Sequence, residues 1–230
     1  MDSSYEASGK LDITSLKLIA SASMLIDHIG MVLFPGVTWL RVVGRLAMPI
    51  YCFSIAEGLH HTRDRGMYML RIFLFALLSE YPIDMATRGS FGYRSQNVMF
   101  TFLFAIAGIC ACDAIRGMLQ SFAGDLAGCL AAALFAAGAT AFRTDYGRFG
   151  VTMVYILYFL RPYIREKVIL SSLYVAAERW GTIAVYCIPS YILISHYNGK
   201  RGKGLKYFFY FFYPAHLMIL YLIKICLRTH

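Results

Sequence analysis

Charged residues are scarce in this sequence. Asp, Glu, Lys and Arg make up 15% of the 230 residues, whereas soluble domains usually contain about 25%. Apolar residues make up 59% of the chain. They form successive runs of about 20 residues, the length at which a helix crosses a hydrocarbon core of about 30 Å. The composition therefore excludes an ordinary soluble domain and predicts an integral membrane protein.

The sequence also lacks the common motifs of soluble hydrolases and metal sites. It has no GxSxG, HExxH or Walker-type phosphate loop, which excludes a serine elbow, a zincin and a P-loop enzyme. Six cysteines lie within apolar runs and none forms a CxxC pair, so we expect free thiols and no metal. The net charge of +9 comes from Lys and Arg near the ends of apolar runs. Membrane orientation and anionic headgroups explain that charge better than nucleic acid.

The apolar runs predict an all-α fold, a polytopic transmembrane helical bundle of about nine spans, with a range of about seven to ten. The runs show no period-two alternation, which excludes a barrel. Residues 1–13 are predicted to form a polar N-terminal tail, and residues 14–230 a single membrane domain. The predicted segments are 14–34, 40–60, 67–86, 97–117, 122–142, 148–160, 167–178, 181–195 and 205–227.

Residues 167–195 leave two interpretations open. They form either one long tilted helix or two short helices broken at "ERWG". Two short helices and a cytoplasmic N-terminus place Lys10, Lys167 and the basic loop "YNGKRGKG" on the cytoplasmic side. We therefore favour nine spans with the C-terminus outside.

Several ionisable side chains lie inside or at the edge of the predicted spans. Such a residue costs on the order of 3 kcal/mol at mid-helix, which makes each one a candidate for function. The alternative is internal pairing of Arg71 with Glu80 and of Arg45 with Glu57 as structural salt bridges. The set comprises Asp27, His28, Arg45, Glu57, Arg71, Glu80, Asp145, Glu178 and His216.

"IDHIG" places Asp27 beside His28 in the first span. Adjacent helical positions lie about 100° apart, so the two side chains cannot point the same way. His28 is either a satisfied core residue or a general base, for which imidazole is suited near neutrality. Lys17 lies eleven residues earlier, hence within about 20° of the same helix face and about 16 Å away along the axis. That spacing fits a long ligand with an anionic end and a reactive end, unless Lys17 simply snorkels.

The last span contains a second polar motif, "FYPAHL". Pro214 can loosen this helix and free backbone groups beside a cavity. His216 lies in the following turn, with the phenol of Tyr213 nearby. The other interpretation is a kinked helix with an interfacial histidine.

Several blocks of the sequence resemble, in order, the TraX family of bacterial membrane proteins. The resemblance extends from Leu16 to Leu217, and a multi-block match in the right order is more specific than any single motif. The blocks are "LKLIASASMLIDHIG", "RVVGRLAMPIYCFSIAEGLHHTRDRGMYMLRIFLFALLSEYPID", "QNVMFTF", "DYGRFGV", "YNGKRG" and "FFYPAHL".

This resemblance implies an acetyltransferase of the bacterial cytoplasmic membrane that uses acetyl-coenzyme A (acetyl-CoA). The family takes its name from a protein that acetylates the N-terminus of conjugative pilin. It also resembles the membrane acyltransferases that modify surface glycans, in which a basic residue precedes an essential histidine in the first helix. Lys17 and His28 match that arrangement. The acceptor is therefore an unknown amine or hydroxyl, such as a peptide N-terminus or a glycan.

Roles for individual residues follow from this hypothesis. We expect His28 to be the general base, or else a transient acyl carrier. Its tautomer would be fixed by Asp27 or Glu57. Lys17, Arg63 and Arg65 would bind the phosphates of the donor. The oxyanion would be stabilised by Arg45, which also counts among the donor-binding residues, or by Asn97 or Tyr213. The remaining site residues expected from the sequence are His216, Asp145, Arg71 and Glu80.

Two other functions compete with the enzyme. Intramembrane acids and bases also form proton relays, so a proton-coupled small-molecule transporter is the first alternative. A structural partner in a larger membrane assembly is the second, with the polar residues as interhelical contacts.

Overall fold

The computed structural model describes residues 9–179 and 181–228, and within these ranges the regular structure is helical apart from two isolated bridges. The ten α-helices are α1 (Ile13–Val32), α2 (Thr38–Gly44), α3 (Ala47–His61), α4 (Arg65–Arg88), α5 (Val98–Leu119), α6 (Phe122–Ala141), α7 (Gly147–Phe159), α8 (Ile164–Arg179), α9 (Ser190–Ser195) and α10 (Lys206–Arg228), with a short 3-10 helix (Ile183–Cys187) before α9. The all-α prediction is confirmed. The predicted tail falls mostly outside the described residues.

Polar residues mark the starts of the long helices. Each accepts a hydrogen bond from a backbone N–H of the first helical turn, which satisfies a donor that has no partner inside the helix. These capping residues are Asp12, Asp64, Asn97 and Ser121. At its other end, α4 stops at Gly89, whose left-handed φ of 73° suits glycine.

The predicted segment 40–60 is divided into α2 and α3. The break falls at Arg45 and Leu46, four and three residues before Pro49. Proline lacks an N–H, and its ring clashes with the carbonyl four residues earlier, here that of Arg45. The helix therefore tightens and restarts at this point.

Two ends of the bundle are defined by contacts between distant segments. At the amino-terminal end, Ile13 N–H donates to the Lys200 carbonyl at 3.0 Å, and Leu11 N–H donates to the His196 carbonyl at 3.0 Å. At the opposite end, called here the cavity end, Asp145 N–H donates to the Gln96 carbonyl at 2.8 Å. Most helices run from one end towards the other.

Within the described residues, six helical stretches are long and apolar enough to cross a bilayer. They are α1, Thr38–His61, α4, α5, α6 and α10 through Leu227. Between them α7 and the Ile183–Ser195 segment are apolar but shorter, and α8 has 16 residues. The chain is a multi-pass membrane protein, and the count of nine full spans stays a prediction.

Large apolar side chains on the outside of the bundle are consistent with a surrounding lipid phase. Leu134 on α6 is 72% exposed, and Leu74 on α4 is 53% exposed. A water-soluble protein rarely presents so continuous an apolar surface. These helix faces therefore correspond to the hydrocarbon region.

Candidate active site

A cavity of about 440 Å³ opens near the cavity end of the bundle. This volume lies in the range usual for small-molecule sites. Its polar lining includes Asp27, His28, Arg41, Arg45, Arg88, Gln96, Asn97, Asp145, Tyr146, Arg179 and Tyr213. Side chains from α1, α2, α4 and α10 therefore converge there with the loops before α5 and α7.

His28 and His216 form a direct pair inside the bundle. His28 Nδ1 lies 2.6 Å from His216 Nε2, and the two rings are nearly parallel with centroids 4.9 Å apart. Both residues are buried. The tilted ring of Tyr213 has its centroid 6.2 Å from that of His28. The two histidine motifs of the first and last helices therefore meet at one place.

Hydrogen bonding around this pair assigns the tautomers of both rings. His216 Nδ1 lies 2.6 Å from the Phe212 carbonyl, which can only accept, so Nδ1 carries the proton. The unprotonated His216 Nε2 then accepts from His28 Nδ1–H. His28 Nε2 is left as a lone pair, with no hydrogen bond from the described residues, on a ring that lines the cavity. This is the arrangement required of a general base.

Asp27 points away from His28 and pairs with two arginines. Its carboxylate lies 2.6 Å from Arg45 Nη2 and 2.9 Å from Arg41 Nη1. Arg41 also donates to the Asp27 carbonyl at 3.2 Å, and Arg45 donates to the Arg41 carbonyl at 3.1 Å. The expectation that Asp27 or Glu57 fixes the tautomer of His28 is therefore wrong, since His216 does so.

The pairing of Asp27 with Arg41 and Arg45, called here the arginine clamp, depends on the close approach of α1 and α2. A Cβ atom added at Gly44 would lie 2.2 Å from Asp27 Cβ. A side chain at this position would therefore push the two helices apart. Arg41 in α2 and Arg45, the residue directly after α2, are one turn apart, so both reach the same carboxylate.

Asn97 is held by α4. Its backbone N–H and its side-chain Nδ2 both donate to Glu80 Oε1, at 2.8 Å and 2.5 Å, and Nδ2 donates also to the Ala76 carbonyl at 2.8 Å. Asn97 Oδ1 accepts from Met99 N–H at 2.9 Å and caps α5. Since both hydrogens on Nδ2 are used, Asn97 orders the cavity wall and cannot serve as the expected oxyanion donor.

Backbone hydrogen bonds between two loops place Asp145 beside the cavity. Gln96 N–H donates to the Arg143 carbonyl at 3.0 Å, and Asp145 N–H donates to the Gln96 carbonyl. The Asp145 side chain is exposed in the wall of the cavity. Within the described residues, it forms no salt bridge.

Comparison with known proteins identifies the family. A family model described as "TraX protein" matches residues 12–224, which is most of the chain. The chain belongs to the TraX family. It is 27% identical to a probable fimbrial assembly protein (FimC, serogroup H1) of Dichelobacter nodosus, over 93% of this chain and 96% of that protein. An uncharacterised protein of Rickettsia prowazekii is 53% identical over 38 residues, covering 16% of this chain and 15% of that protein. No solved structure matches.

Not all of the expected site residues of this TraX-family chain meet at the cavity. Arg65 pairs with Asp113 at 2.7 Å and donates to Tyr158 at 3.0 Å. Arg63 is exposed in the loop before α4. Both lie at the amino-terminal end, as does Lys17, whose Nζ lies 5.5 Å from the centroid of the Phe209 ring. None of the three contributes to the cavity.

The two salt bridges offered as the structural alternative do not occur. Glu57 pairs with Arg161 at 3.1 Å and lies 3.4 Å from His61 Nε2, far along α3 from Arg45. Arg71 lies beside Tyr210 and has a buried Nε without a hydrogen-bond partner among the described residues, whereas Glu80 binds Asn97. Which side chains pair depends on which helices pack against each other, and the residue pattern alone does not predict those neighbours.

Sequence reasoning missed several residues of the cavity. Arg41 was not among the expected site residues, yet it shares the carboxylate of Asp27 with Arg45. Its spacing of four residues from Arg45 was a usable signal. Arg179 had no such signal, because its contact with the face of Phe149, at 4.5 Å, joins α8 to α7. The other missed polar lining residues are Thr87, Arg88, Ser95, Gln96 and Tyr146.

Proposed function

We propose that this protein is a membrane-embedded acyltransferase that moves an acetyl group from acetyl-CoA to an amine or hydroxyl. The observation that carries the proposal is the His28–His216 pair, which leaves His28 Nε2 as a lone pair on a ring lining the cavity. The family supports it, since TraX resemblance implies acetyl transfer. Such a transfer needs a general base that removes the proton of the acceptor, and an oriented imidazole can do so.

His28 takes the proton of the acceptor in this mechanism. As the acceptor nitrogen or oxygen bonds to the acetyl carbon, its proton moves to His28 Nε2. His216 stabilises the resulting imidazolium by accepting from His28 Nδ1–H, and the Phe212 carbonyl holds His216 in place. When the carbon–sulfur bond breaks, His28 returns the proton to the departing thiolate. His28 and His216 therefore both return to the protonation states in which they began.

Arg45 is the best-placed group to stabilise negative charge on the acetyl oxygen. Its Nε and one hydrogen of Nη2 are committed to the Arg41 carbonyl and Asp27, but a guanidinium has five N–H donors. The remaining donors lie on a side chain that lines the cavity. Asp27 and Arg41 fix its orientation, which avoids reorganisation during the reaction. Tyr213 is the second candidate donor.

A peptide N-terminus is our preferred acceptor. The D. nodosus relative is described as a probable fimbrial assembly protein and is similar over almost its whole length, and fimbriae are built from protein subunits. The unpaired carboxylate of Asp145 in the cavity wall suits the attraction of an ammonium group. A hydroxyl of a surface glycan remains the second acceptor to be tested.

The proposal is tested with purified protein in lipid nanodiscs and acetyl-CoA labelled in the acetyl group. Peptides with free N-termini, the same peptides with blocked N-termini, and oligosaccharides are offered as acceptors. We expect label in the free peptides and none in the blocked ones. Transfer to no acceptor, together with acetyl-CoA-independent solute flux in proteoliposomes, would favour the transporter instead.

A further inference from the structure

Four basic side chains meet at the amino-terminal end of the bundle, away from the cavity. They come from distant parts of the chain: Lys17 from α1, Arg71 from α4, Arg201 from the loop before α10, and Lys206 from the first turn of α10. Lys17 Nζ lies over the ring of Phe209 and Arg71 lies beside Tyr210, both about one turn from Lys206. The Thr14 hydroxyl of α1 contacts the Arg201 carbonyl at 3.0 Å. Like-charge repulsion therefore acts between Arg201 and Lys17, and between Lys206 and both Arg71 and Arg201. We call this group the basic cluster.

No carboxylate forms a direct ion pair with a member of the basic cluster among the residues that the structure describes. Within residues 9–179 and 181–228, none of its four members forms a salt bridge, although most other arginines of the helices do. The nearby acid, Asp12, accepts from Ser15 N–H at 2.7 Å and caps α1. Bringing like charges together lowers stability unless an anion is bound between them.

Three of the four cations are partly enclosed. Lys17, Arg71 and Lys206 are half-buried, and Arg71 Nε is fully buried without a hydrogen-bond partner among the described residues. The positive-inside preference does not require a basic side chain to be buried, because a basic residue in an exposed loop satisfies it equally well. Enclosure of a guanidinium that has no carboxylate partner costs free energy that a bound anion offsets.

The loop that carries Arg201 is fixed to α1. Thr14 Oγ1 lies within hydrogen-bonding distance of the carbonyls of Arg201, at 3.0 Å, and Lys203, at 2.7 Å. Gly202 has a φ of 71°, and a Cβ there would lie 2.4 Å from the carboxyl carbon of Asp12. Only glycine fits this close approach. The backbone that carries the fourth cation is therefore fixed against the first turn of α1.

We propose that the basic cluster binds the phosphate groups of the acyl donor, so that "YNGKRGKG" and Arg71 take the role first assigned to Arg63 and Arg65. This inference rests on the proposed function. Four cations match a ligand with several negative charges, such as coenzyme A, better than a single carboxylate. Lys17 and His28 both contact α10, through Phe209 and His216. The phosphates thus lie at one end of the α1–α10 contact and the reactive base near the other.

The test is the affinity of coenzyme A for the protein in nanodiscs of zwitterionic lipid. Arg201→Gln and Lys206→Gln should each weaken binding about tenfold or more, the loss of roughly one charge-assisted contact. Arg165→Gln is the matched control, because Arg165 is an exposed arginine at the same end. It should bind as the wild type does. Equal affinity in all four proteins would overturn the inference.

A second arm separates the donor from a lipid headgroup, which offers the same phosphate chemistry. Nanodiscs containing phosphatidylglycerol are compared with the zwitterionic ones. If Arg201→Gln and Lys206→Gln reduce retention of phosphatidylglycerol but leave coenzyme A affinity unchanged, the site belongs to lipid and the donor assignment fails. Reduced coenzyme A affinity in both kinds of nanodisc supports the donor.

Acetyl transfer is measured in the same preparations. His28→Ala should retain coenzyme A binding while losing transfer. If the wild type transfers acetyl groups and Arg201→Gln binds coenzyme A equally well, this inference alone is wrong. If the wild type binds no coenzyme A and transfers nothing, the proposed function is wrong and this inference falls with it.

Discussion

At the scale of the residue, two neighbours in the first helix have separate tasks. Asp27 pairs with Arg41 and Arg45, in and directly after α2, and His28 binds His216 on α10. The sequence predicts that adjacent side chains diverge, because helical geometry requires it. It does not predict the partner of either one, since each partner belongs to a helix brought alongside only by folding.

The pairing of Asp27 predicts a large stability loss for Asp27→Asn. Two largely buried guanidinium groups would lose their counter-charge, and breaking a buried pair in this way typically costs about 3–5 kcal/mol. Asp125→Asn is the control, because it removes the carboxylate of an exposed pair with Arg116, with side chains 48% and 55% accessible, which is typically worth about 1 kcal/mol or less. Thermal unfolding followed by intrinsic fluorescence measures both. Equal shifts in midpoint would contradict the buried pairing.

At the scale of the element, the apolar runs place the helices well. The predicted run 14–34 corresponds to Ile13–Val32, and 97–117 to Val98–Leu119. The length of an apolar run and the capping residue before it are local features of the chain, so the positions of these helices can be predicted from the sequence. The division of 40–60 was missed although its cause is local, because a proline in an apolar run also occurs inside helices, as Pro82 and Pro214 do here.

The contact between α1 and α2 predicts that Gly44→Ala is destabilising. The added methyl would meet Asp27 Cβ at 2.2 Å, and overpacking of this kind costs about 1–3 kcal/mol. Gly36→Ala is the matched control, since a Cβ there meets nothing within 4 Å. Thermal midpoints of the two variants should therefore differ clearly. A Gly44→Ala protein as stable as Gly36→Ala would show that the helices are not in close contact.

At the scale of the whole molecule, the two ends of the bundle differ in chemistry. The amino-terminal end carries the basic cluster, and the cavity end carries the histidine pair and the arginine clamp. The sequence predicts that Lys17 binds the donor and that "YNGKRGKG" faces the cytoplasm, but it does not bring Arg71 and Lys206 to the same place. It predicts individual members of the second, but not the cavity, because eight separate segments contribute to that space.

The path of the chain predicts opposite locations for the two termini. The nine predicted passes, oriented by the positive-inside preference, are expected to place residue 10 at the cytoplasmic face and the C-terminus outside. Single cysteines introduced at position 10 and after position 230 of a cysteine-free protein, treated with a membrane-impermeant thiol reagent on intact cells, report both sides. We expect labelling at the C-terminus only. Labelling of both sites, or of neither, would exclude an odd number of crossings.

The most direct measurement is the single-turnover rate of acetyl transfer by His28→Ala, with the folded state of the variant checked by its thermal midpoint and by coenzyme A binding. Loss of a general base lowers the rate typically by about 10²–10⁴-fold. We predict a loss of that size in His28→Ala and a smaller one in His216→Gln, which removes only the group that orients His28. Transfer by folded His28→Ala at the wild-type rate would contradict the role of His28 as the base.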